Sequence, residues 1–339
     1  MKPLKAVVKR KRGEGFVELM EVRDPEPRDG ELLIRVRAAG ICGSDLNILH
    51  DRFPGYVVPV IMGHEFAGTV EKTGGSRGFK RGERVACETH AFVCGECGYC
   101  RAGLYNLCQQ RKGFGYGTDG AFARYVRVRQ AIVHRLPDEI STEEGALLEP
   151  LSVAVNALTK NSRIAAGESV VILGPGPIGL LCLQIAKLSG ARVTVVGTKN
   201  SRARLRLAEK LGAETKTDEE LLDKLQGSAG LYDVSVIAAG RAQVFEVALR
   251  ATRPNGRVVH IGESTEQAQF QFSLIEKKNL TVNGSFSHNW PVWERAIALV
   301  KAGRVELSPL ITHRVQIERW KEGFDAAERR SGVKVLIRP

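Results

Sequence analysis

The stretch GPGPIG (174–179) stands directly behind the apolar run SVVIL (169–173) and directly ahead of LLCLQIAKLSGA (180–191), whose apolar residues recur at helical spacing. Gly174, Gly176 and Gly179, with Pro175, Pro177 and Ile178 between them, fit G-x-G-x-x-G. The first glycine permits a tight turn, the second lets the backbone approach a pyrophosphate, and the third lets helix pack on strand. The helix start adds unpaired N–H groups and a positive dipole end. A plain glycine turn would carry the same letters. The strand before, the helix after and further β-α units turn it into a dinucleotide site.

An acid normally closes the second strand of such a site, where it bonds the adenosine ribose 2′-hydroxyl. Here the strand RVTVV (192–196) runs into Gly197, followed by Thr198, Lys199, Asn200, Ser201, Arg202 and Arg204. Cations and small hydroxyls in place of the acid suit a 2′-phosphate, so NADP(H) is expected over NAD(H). The alternative is that these are solvated helix-start charges and that either cofactor is accepted.

Outward from the turn, strands and helices alternate from about Ala146: SVVILG, PIGLLCLQIAKLSG, RVTVVG, SRARLRLAEKLGA, YDVSVIAAG, AQVFEVALRAT, GRVVHIGE. That alternation predicts a parallel sheet wound with helices. The first 150 residues read instead as short strands (KAVVKR, ELLIRVRAAG, FAGTVEKTG, ERVACE, FARYVRV) punctuated by Gly, Pro and Asp. The tail offers a helix at WPVWERAIALVKAG (290–303), then ITHRVQ, a second helix and the strand KVLIRP. It is expected to fold back on the N-terminal part, making the dinucleotide domain (151–289) an insertion between 1–150 and 290–339.

At 339 residues the chain has room for two cores. No apolar run is long enough to span a bilayer, and the start lacks a cleavable leader pattern, so a cytoplasmic protein is expected. The net charge of +12 is scattered, with clusters only at KRKR (9–12) and RRSGVK (329–334), and aromatics are 6%. That argues for a solvated basic surface attracting anionic cofactors rather than a nucleic-acid binder.

Four of the seven cysteines fall in CGECGYCRAGLYNLC: Cys94, Cys97, Cys100 and Cys108, spaced C-x2-C-x2-C-x7-C. Four thiolates close a tetrahedral zinc shell, which makes a structural site. Iron–sulfur runs that begin this way continue x3-C-P, absent here. A second, dispersed set is Cys42, Ser44 and Asp45 in AAGICGSDLN, His64 and Glu65 in IMGHEFAGTVE, and Glu149 in GALLEPLSV. A catalytic zinc takes about three protein ligands and keeps a position open. Cys42 and His64 are the firm candidates, with Glu65 or Glu149 third and Asp45 orienting His64.

In this order GICGSD, GHEFAGTV, the four-cysteine lobe, EEGALLEPLSV, GPGPIG and GRVVHIGE resemble the zinc-containing medium-chain alcohol dehydrogenases over essentially the whole chain. EEGALLEPLSV, NWPVWERAI and PLITHRV look most like the polyol (sorbitol-type) branch, with threonine dehydrogenases close behind. The resemblance implies an α/β two-domain fold: a GroES-like β-barrel catalytic domain plus a Rossmann doubly wound parallel sheet. It further implies hydride transfer between an alcohol carbon and a nicotinamide, commonly in a homotetramer. Ser44 would accept the alcohol proton. Many relatives carry a histidine five positions after the ligand cysteine to finish that relay; this chain has Asn47, with His50 nearby. Where sorbitol-type enzymes often have an Arg-Tyr pair, this chain has Ser287 and His288, the latter either holding a substrate hydroxyl or capping a loop. Phe53, Tyr56 and Phe92 are expected at the pocket from loop position. His90, His134, His260, His313, Cys87 and Cys182 read as structural or surface residues.

Overall fold

The computed structural model describes residues 4–75, 78–262 and 264–339. Residues 1–3, which open the N-terminal reading, and Glu263, which closes GRVVHIGE, lie outside them. By its packing the chain divides into two compact units, 1–149 with 289–339, and 150–288. Each junction falls one residue earlier than the change of sequence pattern suggested.

The 150–288 unit is a six-stranded parallel sheet. In chain order its strands are Ser169–Leu173, Arg192–Gly197, Glu214–Thr217, Tyr232–Ile237, Thr252–His260 and Thr281–Gly284. Their spatial order is 3-2-1-4-5-6. The chain therefore reverses direction across the sheet between the first strand and the fourth, where doubly wound sheets bind their ligands. Val170–Leu173 is buried, as a central parallel strand covered on both faces must be. Asp233 on the fourth strand ties down the start of the first, accepting from Ser169 N at 2.8 Å and Ser169 Oγ at 2.6 Å. Three elements of this unit are absent from the sequence reading: strand Glu214–Thr217, helix Asp218–Leu225 and helix Ser273–Lys277. Helix Asp218–Leu225 starts with a capping box of Thr217 and Glu220.

The other unit holds two sheets. One pairs Val17–Val22, Leu4–Lys9 and Val60–Ile61. The larger runs Ile311–Gln316, Lys334–Arg338, Glu31–Gly40, Glu65–Gly74, Arg84–Cys87 and Val133–Arg135, with Tyr125–Arg129 also on Glu31–Gly40. Leu32, Ile34, Phe66, Phe122 and Phe324 are among the residues of its core. The C-terminal strand thus joins the N-terminal sheet, and Lys334 arrives beside the end of strand Glu31–Gly40. Buried His134 stacks on Trp290 (3.9 Å between ring centres) and Trp293 (4.9 Å), while its nitrogens meet Glu88 and Glu294. Among the described residues no helix is long and apolar enough to cross a membrane.

Candidate active site

The dispersed set converges. Helix Gly43–Leu49 starts on Cys42, whose N–H donates to Asp45 Oδ2 at 2.8 Å, so the turn that starts the helix also fixes the residue carrying the thiol. His64 and Glu65 lead into strand Glu65–Gly74, directly across from Gly40. A Cβ on Gly40 would lie 2.2 Å from Glu65 Oε2, so this glycine makes room for the carboxylate. Cys42, His64 and Glu65 present ligand atoms all within 4.8 Å of one another. Glu149 is also buried, but its Oε1 accepts from Thr89 Oγ1 at 3.0 Å and it stands outside that trio.

Electrostatically the site calls for a cation. Burial opposes protonation of His64, but Asp45, the Cys42 thiol and Glu149 outweigh it and raise the imidazole well above its ordinary value. Burial raises Asp45. Asp45 Oδ1 and His64 Nδ1 are both buried and without a hydrogen bond, 3.8 Å apart. A turn of the ring that joined them would hold the proton on Nδ1 and present Nε2 as the ligand atom. Zinc fits this donor set of thiolate, imidazole and carboxylate. Ser44 Oγ lies 3.5 Å from the same Nε2.

Three participants escaped the sequence reading. Lys334 donates to Glu65 Oε2 at 2.5 Å and to Ile41 O at 3.1 Å, wholly buried. Thr89 holds Glu149, and the Tyr116 ring lies between Phe53 (5.1 Å) and His64 (6.2 Å). No local pattern announces them; each acts across the fold. The remaining candidates lie elsewhere. His50 is held by Glu14 (3.1 Å) and Glu328 (2.5 Å), which commits both its ring nitrogens to the surface. Tyr56 is buried, its hydroxyl on Asp51 and its ring under the Arg12 guanidinium, so its polar end does not face a pocket. Phe92 is exposed and its backbone pairs with Lys112. His288 is buried in the 150–288 unit, after Ser287 at φ +55°.

In the four-cysteine lobe the sulfurs of Cys94, Cys97, Cys100 and Cys108 all lie within 4.8 Å of one another. Backbone N–H groups of Cys94, Cys97 and Cys100 point at sulfur at 3.4–3.5 Å. Those of Cys97 and Glu96 draw the Cys94 thiol down to about 6, while burial pushes Cys100 up to about 12. A closed S4 shell with N–H donors behind it fits zinc.

At the glycine turn, Gly174 has φ +117°, Gly176 caps helix Pro177–Leu188, and Pro177 opens it. A Cβ on Gly179 would sit 1.9 Å from Gly174 O, whereas one on Gly176 would meet nothing within 4 Å. The third glycine therefore serves packing, and the second leaves space in front of the helix N-terminus, the space a pyrophosphate needs. Beyond Gly197 and Thr198, Lys199 pairs with Glu219 at 2.6 Å, both exposed; Arg202 is exposed and Arg204 half-buried.

Comparison with known proteins places the chain in a family. A model of the alcohol dehydrogenase GroES-like domain matches residues 28–138, and one of zinc-binding dehydrogenases matches 177–302. A sorbitol dehydrogenase of Halalkalibacterium halodurans is 36% identical over 99% of both chains. An L-threonine 3-dehydrogenase of Pyrococcus horikoshii is 38% identical over 94% of each. A Sinorhizobium meliloti chain, assigned as a zinc-binding dehydrogenase and solved bound to NADP, superimposes over 100% of both chains with TM-score 0.91 and 33% identity. Two family models together covering most of the chain, and a relative 36% identical along its full length, show that the chain belongs to the zinc-containing medium-chain alcohol dehydrogenase family.

Proposed function

We propose that this member of the family is an NADP(H)-preferring polyol dehydrogenase holding one catalytic and one structural zinc per chain. The reading extends to a cytoplasmic homotetramer on family resemblance. Its main support is the convergence of Cys42 with the buried His64 and Glu65, with the unpartnered atoms Asp45 Oδ1 and His64 Nδ1 behind it. Glu65 is the better third ligand, because its carboxylate lies within 4.8 Å of the Cys42 and His64 ligand atoms and Glu149 stands outside that group. The NADP(H) preference rests on Gly197, which leaves no acid at the end of the second strand.

When bound, zinc supplies Lewis acidity that eases loss of the alcohol proton and favours hydride departure. The protein's own groups do the rest. Asp45 sets the His64 tautomer. Ser44, beside Nε2, receives the alcohol proton and passes it on. Asn47 cannot titrate and His50 is held by Glu14 and Glu328, so neither ends this relay.

The test is reduction of NAD+ and NADP+, offered separately to zinc-loaded protein with polyols, simple secondary alcohols and L-threonine. Turnover of polyols with NADP+ is expected. Turnover of L-threonine alone would overturn the substrate class in favour of the second reading, which the similarity to the Pyrococcus horikoshii enzyme supports. Metal analysis of Cys42→Ala is expected to show one zinc per chain instead of two and no turnover; full occupancy and activity would refute the catalytic assignment.

A further inference from the structure

We propose that Pro175, inside the glycine turn, physically excludes an acid from position 197, so that Pro175 and Gly197 together determine cofactor choice. The inference rests on the NADP(H) reading and deepens it. Gly197 ends its strand against the turn, where Gly174 N donates to Val196 O at 2.9 Å. A Cβ on Gly197 would lie 2.8 Å from Pro175 Cγ and 3.0 Å from Cδ, with Ser201 Cβ behind at 3.1 Å. Carbon atoms pack comfortably only at about 3.5–4.0 Å. A long side chain could swing aside, but the pyrrolidine ring is closed onto its own backbone and cannot. Ser201 is itself fixed in the short 3-10 turn Lys199–Ser201.

The missing acid is therefore a property of two positions. Every side chain other than hydrogen at 197 meets the proline ring before its functional group matters. With a carboxylate kept out of position 197, that position itself does not repel a 2′-phosphate. Arg202, exposed and without an acidic partner among the described residues, stands one helical turn on.

The test uses the full-length, zinc-loaded chain and measures dissociation constants of NAD+ and NADP+ by calorimetry without alcohol, with melting temperatures of the cofactor-free proteins alongside. Gly197→Ala adds the methyl without charge. It is expected to weaken both dinucleotides by on the order of tenfold, about 1.4 kcal/mol, with their ratio unchanged. Pro175→Ala alone should stay near wild type, and P175A/G197A should recover the lost affinity. P175A/G197D should then bind NAD+ in preference to NADP+, whereas G197D alone binds both poorly. Wild-type affinity in G197A, or no recovery in P175A/G197A, would overturn the proposal. If the wild type binds NAD+ as tightly as NADP+, the cofactor preference fails, while the G197A and P175A/G197A pair still judges the contact. Melting temperatures close to wild type exclude misfolding as the source of lost affinity.

Discussion

Lys334 and Glu65 form an ion pair with side chains only 2% and 1% exposed. Such a pair is costly to desolvate, and removing one member strands the other charge. Lys334→Met is therefore expected to cost about 3–5 kcal/mol in denaturant unfolding, and K334M/E65Q markedly less than the two single changes summed. Additive losses would show that the pair is not coupled. The two glycines of the turn make a sharper contrast. Gly179→Ala must push against Gly174 O, so it should lower the melting temperature of the cofactor-free protein. Gly176→Ala meets open space and should melt normally, yet bind dinucleotide at least tenfold more weakly because its methyl enters the pyrophosphate position. The glycines of the turn and the candidate zinc-binding cysteines were legible because the chemistry expected of them demands particular residue types. Lys334 and Thr89 were not, since a lysine or threonine in a strand or loop advertises no partner.

At the scale of elements, Asp233 pins two neighbouring strands of the nucleotide sheet. Burial pushes its carboxyl up, but the Ser169 N–H and hydroxyl and the Arg253 guanidinium outweigh it and hold it below the ordinary value. The ionised form is thus favoured by folding. Its stabilisation is present above the unfolded value, about 3.9, and is lost as pH falls through the folded one. Asp233→Asn should cost about 1.5–3 kcal/mol at pH 7, and the gap to wild type should narrow as pH drops toward 3. A gap independent of pH would contradict the linkage. The four-cysteine lobe has little apolar content, so Cys97→Ala should lower the melting temperature and the zinc count by one per chain; an unchanged melting temperature would argue against a structural role. Most elements were legible from periodicity. Strand Glu214–Thr217 was not: it is the polar sequence ETKT on the sheet edge, with only Lys216 buried, and offers no apolar run to read.

At the scale of the molecule, the dinucleotide unit was readable because each βαβ step repeats a local rule. The sheets of the other unit bring together strands from both ends of the chain, and their order follows from long-range pairing that no window of sequence contains. The same division has a practical side. All three tryptophans, Trp290, Trp293 and Trp320, belong to the first unit. Two of them flank His134. Intrinsic indole emission consequently watches one half of the protein while the other stays dark. Set against far-ultraviolet circular dichroism, which sees both halves, it gives a label-free way to ask whether cofactor and zinc protect the two units from denaturant together or in turn.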